Sequence, residues 1–432
     1  MYAVGSVQGP VAFVDTTFSG ITVPKQAFIL AEGSSATTTG ITVGDGLIGL
    51  GPSAGSNVRS AVGNPSGDPF LDNVFRQNTS TPNFVTVLLQ RVGDDEPTIN
   101  GQFTISEIVP GMENIQSQPQ VPVTVVTNQE TPNQHWSTLI DAVYGPDGHL
   151  VPITSTVPGT PSGKFVVAYD TGFTFPQVPR QLSDAIYGRV QGAEYDQQDG
   201  FWIIPCEQEL NVTFTIGGNN FTINPLDTSV PSSAVGGKDP NQCIGAFQPL
   251  DFDSGNTIDG IMGMAFIRNV YMLINFGDFV DGNPSNQKDP YMQFISTTTA
   301  STAHKDFVDS RLNGNDITSE SQFALLPASQ GQTSSAPKET GVPDSSNPFN
   351  SQNIHRFLPY IIAGSVIVGL ALLGFLFACC CRRRRSRGIQ FTNARSYRAL
   401  QDPSPPGYNL YSMPPSSQQQ GYGAYADPYY RG

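Results

Sequence analysis

The stretch FVVAYDTGFT, residues 165–174, joins a short apolar run to an Asp-Thr-Gly tripeptide. The run from Phe165 to Tyr169 predicts a buried β-strand, because β-branched and aromatic residues favour strands. This strand presents the carboxylate of Asp170 at its end, where Gly172 allows a tight turn and a close backbone approach. Taken alone, the tripeptide fits an ordinary turn better than a reactive loop, since Asp and Gly are common turn residues. The rest of the chain has to decide between these two interpretations.

An internal repeat is the second signal. Asp45-Gly46-Leu47-Ile48-Gly49 recurs 214 residues later as Asp259-Gly260-Ile261-Met262-Gly263. Five positions can coincide by chance, but both copies lie in a chain that is rich in short strands. The repeat therefore indicates two related lobes.

The composition indicates an all-β protein. Only 13% of the residues are charged, against about a quarter in a typical soluble chain, which argues against a coiled coil. The 44 Gly and 35 Pro residues favour many short strands and turns. One helix is predicted to begin at Pro179 and to end before Gly192, with Leu182, Ile186 and Val190 on its apolar face. Besides 165–169, the predicted strands are 9–14, 40–43, 84–89, 212–216 and 271–276.

An uncharged apolar segment, residues 357–378, predicts a single transmembrane helix, since about 20 residues span a hydrocarbon core of about 30 Å. An Arg cluster follows directly, and the positive-inside rule then places the C-terminus in the cytoplasm. The remainder would face the cell exterior or an endomembrane or vacuolar lumen, as in a type I membrane protein. The net charge of −14 divides into −20 for residues 1–378 and +6 for residues 379–432. The net charge of −14 argues against general nucleic-acid binding, which needs a basic surface.

Two low-complexity segments flank the predicted span. Residues 296–356 are rich in Ser, Thr, Asn and Pro, which predicts an extended stalk. Residues 379–432 are dominated by Pro, Tyr, Gln and Gly, which predicts a disordered cytoplasmic tail.

The tail carries two short motifs. Cys379, Cys380 and Cys381 are placed for S-palmitoylation at the lipid bilayer, with unmodified thiols as the alternative. Pro405-Pro406-Gly407-Tyr408 is a PPxY sequence of the kind that WW domains bind, with a chance match in a Pro- and Tyr-rich tail as the alternative.

The predicted outer part carries features of an oxidising compartment. Its only cysteines, Cys206 and Cys243, predict one disulfide. Asn78, Asn211 and Asn220 begin Asn-x-Ser/Thr sequences and are candidates for N-glycosylation. The histidines are scattered without metal-ligand spacing, so neither a metal nor another cofactor is predicted.

In order and spacing, these elements resemble the pepsin-like aspartic proteases over nearly all of residues 1–295. The matching segments before the quoted stretch are the flap residues Tyr2, Gly5 and Ser6, then Asp45 to Gly49, Gly101 to Ile105 and His135 to Leu139. The later ones are the second catalytic loop with Asp170, Thr171, Gly172 and Thr174, the cysteine pair 206 and 243, and Ile261 to Asn269.

The resemblance implies an all-β, bilobal fold with a peptide groove between the lobes. Residues 1–110 would form a partial N-terminal lobe from the flap onward, and residues 111–295 the C-terminal lobe. It also implies an aspartic endopeptidase that acts on proteins or peptides, with Asp170 as a catalytic carboxylate.

Such enzymes use two aspartates that share one proton, one acting as base on a water and the other donating to the scissile carbonyl. Asp170 precedes Gly263 by 93 residues, and the same spacing before Gly49 puts the first-lobe Asp about 44 residues before residue 1. We expect an N-terminally truncated sequence without its first Asp-Thr-Gly and its signal peptide. The chain as given should be proteolytically inactive.

Some residues depart from the family pattern or imitate another one. Asp15 lacks the following Gly and comes after the flap, so it is rejected as the partner of Asp170. Phe173 replaces a hydroxyl residue that would hydrogen-bond the carboxylate, and Met264 replaces a common Asp. The alternative is therefore a non-catalytic pseudoprotease that binds or adheres at a membrane. Residues 51–55 match the G-x-S-x-G of serine hydrolases, but no strand is predicted to lead into the serine.

Overall fold

The structure, a computed structural model, describes residues 9–31, 46–90, 101–126, 133–197, 199–235, 239, 241–250, 256–280 and 288–335. They belong to the first of two units, residues 1–368, and the second unit, 369–432, lies outside them. Also outside are the flap residues Tyr2, Gly5 and Ser6, Asp45, the predicted strand 40–43, the segment 357–378, and the tail motifs at Cys379, Cys380, Cys381 and 405–408.

Short strands separated by turns make up most of the described chain. The strands are β1 (Val11–Phe18), β2 (Ile21–Ile29), β3 (Phe84–Leu88), β4 (Gln102–Ile105), β5 (Val121–Pro122), β6 (Ser137–Ile140), β7 (Ala142–Tyr144), β8 (Phe165–Tyr169), β9 (Gln177–Pro179), β10 (Glu194–Asp196), β11 (Phe201–Pro205), β12 (Val212–Ile216), β13 (Asn219–Ile223), β14 (Ser229–Pro231), β15 (Gln242–Gly245), β16 (Gln248–Leu250), β17 (Gly260–Met262), β18 (Val270–Asn275) and β19 (Tyr291–Ser296). The helices are α1 (Asn57–Val62), α2 (Phe70–Gln77), α3 (Arg180–Tyr187), α4 (Pro225–Thr228), α5 (Met264–Ile267) and α6 (Ala300–Arg311). The sequence predicts an all-β fold, and the described residues are mostly β with a few short helices between the strands.

Two five-stranded sheets organise the described chain. The Asp170 sheet has the order β16-β9-β17-β8-β6, and β8 lies between parallel β17 and antiparallel β6. The joining sheet has the order β4-β3-β18-β19-β5, so strands from residues 84–105 pair with a strand from residues 270–275. The division predicted at residue 110 is therefore crossed by a continuous sheet. Smaller sheets are β10-β11-β15-β14, β13-β12-β7 and β1-β2.

All five residues of β8 are buried, because strands cover both of its edges and apolar side chains cover both faces. Aromatic rings fill the adjoining core: the ring centroid of Phe214 lies 5.3 Å from that of Phe266 and 5.8 Å from that of Phe247. Burying one such side chain contributes about 1.5–3 kcal/mol. The strand that carries Asp170 is thus held on every side.

The predicted helix is found with shifted ends. α3 begins at Arg180, because Pro179 is the last residue of β9 and precedes the first turn. Leu182 and Ile186 are fully buried, as the apolar spacing predicts. Val190 is also buried but lies beyond the end of the helix.

The predicted stalk needs correction for residues 296–335. This segment contains α6 and then packs against the second half of the chain: the amide of Leu326 donates to the Arg189 carbonyl at 2.8 Å, and the amide of Gln332 donates to the Gly188 carbonyl at 2.8 Å. Its polar residues satisfy backbone groups and are not simply solvated. Residues 336–356 lie outside the described residues. Within the described ranges, no helix combines the length and apolarity needed to cross a bilayer.

Helix α6 contacts two carboxylates outside the helix through one histidine, His304. His304 places Nδ1 3.0 Å from Glu209 Oε1 and Nε2 3.2 Å from Asp316 Oδ2. The hydrogen bond to Glu209, reinforced by the negative charges, raises the pKa of His304 above its ordinary 6.5. The contact is therefore strongest when the imidazole is protonated.

We predict that His304→Gln lowers the free energy of unfolding below pH 6.5 and has little effect above the raised pKa. A raised pKa adds stability that is complete below the unfolded pKa and is lost as pH rises through the folded one. The side chain is partly exposed, so the loss should stay below about 1 kcal/mol. Urea denaturation at acidic and alkaline pH measures it. Lys305→Gln, on the same helix, serves as control, and an equal loss from His304→Gln at both pH values would contradict the prediction.

Candidate active site

Asp170 lies exposed at the end of β8, in a position fixed by the backbone. Its amide donates to the Met262 carbonyl at 3.0 Å, and the preceding amide of Tyr169 donates to the Trp136 carbonyl at 2.8 Å. Backbone hydrogen bonds to two neighbouring segments thus fix the end of β8 at Tyr169 and Asp170. The Asp170 side chain that follows is exposed to solvent.

The loop after Asp170 closes on the carboxylate itself. The amide of Gly172 donates to Asp170 Oδ1 at 2.7 Å, and the amide of Phe173 donates to the Asp170 carbonyl at 3.2 Å. A Cβ at position 172 would lie only 3.1 Å from Asp170 Oδ1, so glycine allows this close approach. Thr171 and Thr174 are exposed on the same loop.

The loop after Asp170 packs against the end of the second repeat copy and the first residues of α5, residues 263–265. The amide of Met264 donates to the Phe173 carbonyl at 2.6 Å, and that of Ala265 donates to the Thr174 carbonyl at 3.3 Å. A Cβ at Gly263 would lie 2.6 Å from the Phe173 oxygen, which is too close for any other residue. Gly263 is therefore required for the loop to sit against the start of α5.

The family resemblance implies a hydroxyl residue at position 173 that would hydrogen-bond the Asp170 carboxylate, but this chain has Phe173 there. Its ring packs against the apolar cluster of Val166, Ala168, Ile258 and Ile261. A phenyl ring cannot donate a hydrogen bond to Asp170, so the Gly172 amide is the described donor to that carboxylate.

Asp259, the first residue of the second repeat copy, is buried and has a structural position. Its carboxylate accepts hydrogen bonds from Ser155 Oγ at 2.6 Å, from the Thr156 amide and hydroxyl at 2.6 and 3.0 Å, and from the Val166 amide at 2.9 Å. These donors tie the 155–157 turn to the beginning of β8. Asp259 is thus occupied in supporting the strand that carries Asp170.

His135 is a neighbour of Asp170 that sequence reasoning missed. Burial lowers the pKa of His135, and the negative charge of Asp170 acts in the opposite direction. The ring Nε2 lies 3.0 Å from Asn133 Oδ1. In the sequence, His135 is marked only as the first residue of the segment 135–139 that resembles the family. Within the described ranges, no group of three or more His, Cys, Asp or Glu residues is arranged to hold a metal ion.

The structure separates the two lookalikes from the site. Asp15 Oδ1 accepts the Lys25 amide at 2.9 Å inside the β1-β2 hairpin, which gives it a local role. Ser53 begins a short 3-10 helix, and the residues 46–50 before it form no strand. A further Asp-Ser-Gly tripeptide, residues 253–255, lies outside the described residues.

The predicted disulfide is present. Cys206 and Cys243 are bonded with a Cα–Cα distance of 4.9 Å and link the end of β11 to β15. The three candidate glycosylation residues, Asn78, Asn211 and Asn220, are all exposed.

Comparison with known proteins places these features in a family. The family model described as eukaryotic aspartyl protease matches residues 1–279. Major aspartyl peptidase 1 of Cryptococcus neoformans var. grubii is 26% identical over 301 residues, covering 67% of this chain and 58% of that relative. Vacuolar protease A of Neurospora crassa is 27% identical over 287 residues, covering 64% of this chain and 61% of that protein. This chain thus spans about three fifths of the length of these relatives.

Among solved structures, the aspartic proteinase from Irpex lacteus aligns with a TM-score of 0.48 and 19% identity, covering 69% of this chain and 84% of that one. The family model alone covers well over half of the 432 residues. The chain belongs to the eukaryotic aspartyl protease family.

Proposed function

We propose that this chain carries the second catalytic half of an aspartic endopeptidase, with Asp170 as its catalytic carboxylate. The observation that supports this most is the exposed Asp170, held at the end of a fully enclosed strand and bonded to the Gly172 amide at 2.7 Å. In the paired state, Asp170 and a second carboxylate would share one proton, activate a water and protonate the scissile carbonyl. Proteins or peptides are the proposed substrates.

The second carboxylate is proposed to lie outside this sequence, on a strand equivalent to β8. Asp-Thr-Gly occurs once in the chain, at 170–172. The Asp259 carboxylate accepts hydrogen bonds from the Thr156 and Val166 amides, and the Asp15 carboxylate accepts one from the Lys25 amide. We therefore propose that these 432 residues form no complete catalytic pair and are proteolytically inactive alone.

Membrane anchoring is part of the same proposal and rests on sequence. Residues 357–378 would cross the bilayer once, with Cys379, Cys380 and Cys381 as candidate lipidation sites and Pro405, Pro406 and Tyr408 as a candidate WW-domain ligand. The enzyme part, with glycans at Asn78, Asn211 and Asn220, would face a lumen or the exterior. A relative named as a vacuolar protease agrees with a lumenal location.

The transcript upstream of Met1 tests the proposal. We expect an extended reading frame with an apolar signal sequence and an Asp-Thr-Gly or Asp-Ser-Gly about 44 residues before residue 1, as the repeat spacing requires. A signal peptide joined directly to Tyr2, or another residue in place of that Asp, would overturn the endopeptidase.

A non-catalytic binding or adhesion protein on the same scaffold is the second candidate. Phe173, which packs into an apolar cluster where a hydroxyl donor is expected, favours it. Binding of peptides to the extended protein without any cleavage would favour this candidate over the enzyme.

A further inference from the structure

The sheet β13-β12-β7 has one buried face and one outer face. Every second side chain along its strands points into the core, as in an antiparallel sheet with one solvated side. The inner face carries apolar side chains that are all buried, from Val143, Val212, Phe214, Ile216, Phe221 and Ile223. The side chains that alternate with them are half-buried or exposed. The outer face is therefore accessible to solvent or to a ligand.

An apolar pair lies at one edge of the outer face. Tyr144, the last residue of β7, lies opposite Leu150 in an antiparallel bridge, and the two are 39% and 58% exposed. Residues directly opposite each other project from the same side of a sheet, with Cβ atoms about 4.5–5.5 Å apart. On its other side, Tyr144 pairs with Thr213 of β12. The outer face thus offers an apolar surface next to Thr213.

Two of the candidate glycosylation sequences lie on this same face. Thr213 and Thr222, the hydroxyl residues of the sequences at 211–213 and 220–222, are direct cross-strand partners. Asn211 and Asn220 each come two residues earlier, which places them on the same face, and both are exposed. Glycans on these two asparagines would therefore emerge from one face of one sheet.

The register connects the apolar pair with Asn211 and not with Asn220. Asn211 comes directly before β12, which pairs with β7, and lies diagonal to Tyr144 across that pair. Diagonal neighbours are about 7–8 Å apart, within reach of a large side chain. Asn220 lies opposite Thr215 on β13, which is one more strand spacing, about 4.8 Å, away from β7. A sugar on Asn211 can thus reach Tyr144 directly.

The chemistry of N-acetylglucosamine fits this surface. Its ring has a face of C–H groups and a rim of hydroxyl groups, so it can cover apolar side chains while the hydroxyl groups stay in water. Attachment forms a bond from Asn211 Nδ2 to C1 of the sugar and breaks the bond from C1 to a lipid-linked diphosphate. The diphosphate leaves with the bonding electrons, and Nδ2 loses one proton.

We propose that Asn211 is glycosylated and that the first N-acetylglucosamine of its glycan lies on Tyr144 and Leu150. This inference rests on the lumenal or external location in the proposed function and does not depend on catalysis. The covalent link starts on the same sheet face, so it holds the sugar at a high effective concentration over the pair. The glycan then shields the outer face of β13-β12-β7 from other proteins.

The test uses the full 432-residue chain, produced in the secretory pathway of a eukaryotic host behind that host's signal peptide. Glycopeptide mass spectrometry measures the glycan at Asn211, and hydroxyl-radical footprinting measures oxidation of Tyr144 and Leu150. We expect both side chains to be oxidised at least ~3-fold faster after a glycoamidase has removed the glycans from the folded protein, because oxidation follows the surface that water reaches. Trimming to the first sugar with an endoglycosidase should keep the protection. Leu47, equally exposed at 58%, should not change.

Two variants separate the glycan at Asn211 from the others. Thr213→Ala removes the glycosylation sequence but keeps Asn211, so Leu150 should be oxidised as fast as in the deglycosylated protein. Ser80→Ala removes the sequence that begins at Asn78 and should leave Leu150 protected.

A glycan on Asn211 together with this protection would bear out the inference. Glycans at Asn78 or Asn220 with none at Asn211 would overturn this inference alone. So would a glycosylated Asn211 with unchanged oxidation of Leu150. No glycan at any of the three sequences would overturn it together with the proposed lumenal location, and none of these results depends on cleavage by Asp170.

Discussion

The 432-residue chain, assayed alone, should cleave peptides at least ~10³-fold more slowly than a two-carboxylate relative at any acidic pH. One carboxylate cannot be the base for the water and the acid for the carbonyl oxygen in the same step. Asp170 is the exposed carboxylate of the described loop, and Asp259 is saturated by its hydrogen bonds. Incubation with a peptide library across the acidic range, followed by mass spectrometry, measures the rate.

The matched controls are Asp170→Asn and Asp253→Asn. The first should leave the background rate unchanged if the chain is inactive. Robust cleavage that a transition-state analogue such as pepstatin blocks, and that Asp170→Asn removes, would contradict the prediction. If Asp253→Asn also removed that cleavage, the Asp-Ser-Gly at 253–255 would be identified as the second carboxylate.

A buried carboxyl in α2 provides the second large effect. Asp72 is fully buried, and no hydrogen bond of ordinary geometry reaches its oxygens within the described residues. Burial raises its pKa from 3.8 to about 7, an effect that Arg76 partly opposes and Asp68 reinforces. Asp68 is itself ion-paired with Arg76 and, at 2.6 Å, with Arg59. Asp72 therefore folds most readily in its protonated form.

We predict that Asp72→Asn raises the free energy of unfolding at neutral pH by up to ~4 kcal/mol. Below pH 3.8 the carboxyl is protonated in both states, so the variant and the parent should be equally stable. As pH rises from 3.8 towards about 7, Asp72 ionises in the unfolded parent but stays protonated in the folded parent, so the free energy of unfolding falls. The asparagine side chain of the variant does not ionise, so the variant keeps this part of its stability.

Denaturant unfolding at several pH values, with the exposed Asp278→Asn as control, measures this difference. A variant that is less stable than the parent at neutral pH would contradict the prediction and show that the charge on Asp72 is needed. A carboxyl of this kind favours the folded state in acid.

Local sequence signals predicted the elements that are determined locally. β8 has the predicted ends, because Phe165 to Tyr169 are apolar and Asp170 follows. Helix α3 was found from the spacing of Leu182 and Ile186, but its start was displaced because Pro179 completes β9.

Long-range contacts were out of reach of the same reasoning. The pairing of β3 with β18 joins Thr86 to Leu273 across most of the fold, and no periodicity encodes such a partner. The prediction of a stalk was wrong for residues 296–335, because a composition rich in Ser and Gln was interpreted as solvent-exposed chain. In the structure the Ser334 hydroxyl donates to Asp184 at 2.6 Å, and the Gln332 side chain donates to the Ala193 carbonyl at 2.8 Å.

For the candidate site, too, the sequence predicted the residues in local motifs but not their long-range contacts. Asp170 and its glycine loop follow from one decapeptide, and the repeat identified Asp259 and Gly263. The donors that surround Asp259 lie 93 to 104 positions away in sequence, and His135, on which the charge of Asp170 acts, lies 35 positions before that residue. Only the folded arrangement shows that Asp259 supports β8.

The most direct test of the catalytic assignment is kcat/KM for peptide cleavage by the longest natural form of this protein, with Asp170 intact and as Asp170→Asn. We predict a fall of at least ~10³-fold with unchanged unfolding, because Asn has nearly the same shape but cannot take or give the proton. A variant that keeps its kcat/KM within about twofold would contradict the assignment of Asp170 as a catalytic carboxylate.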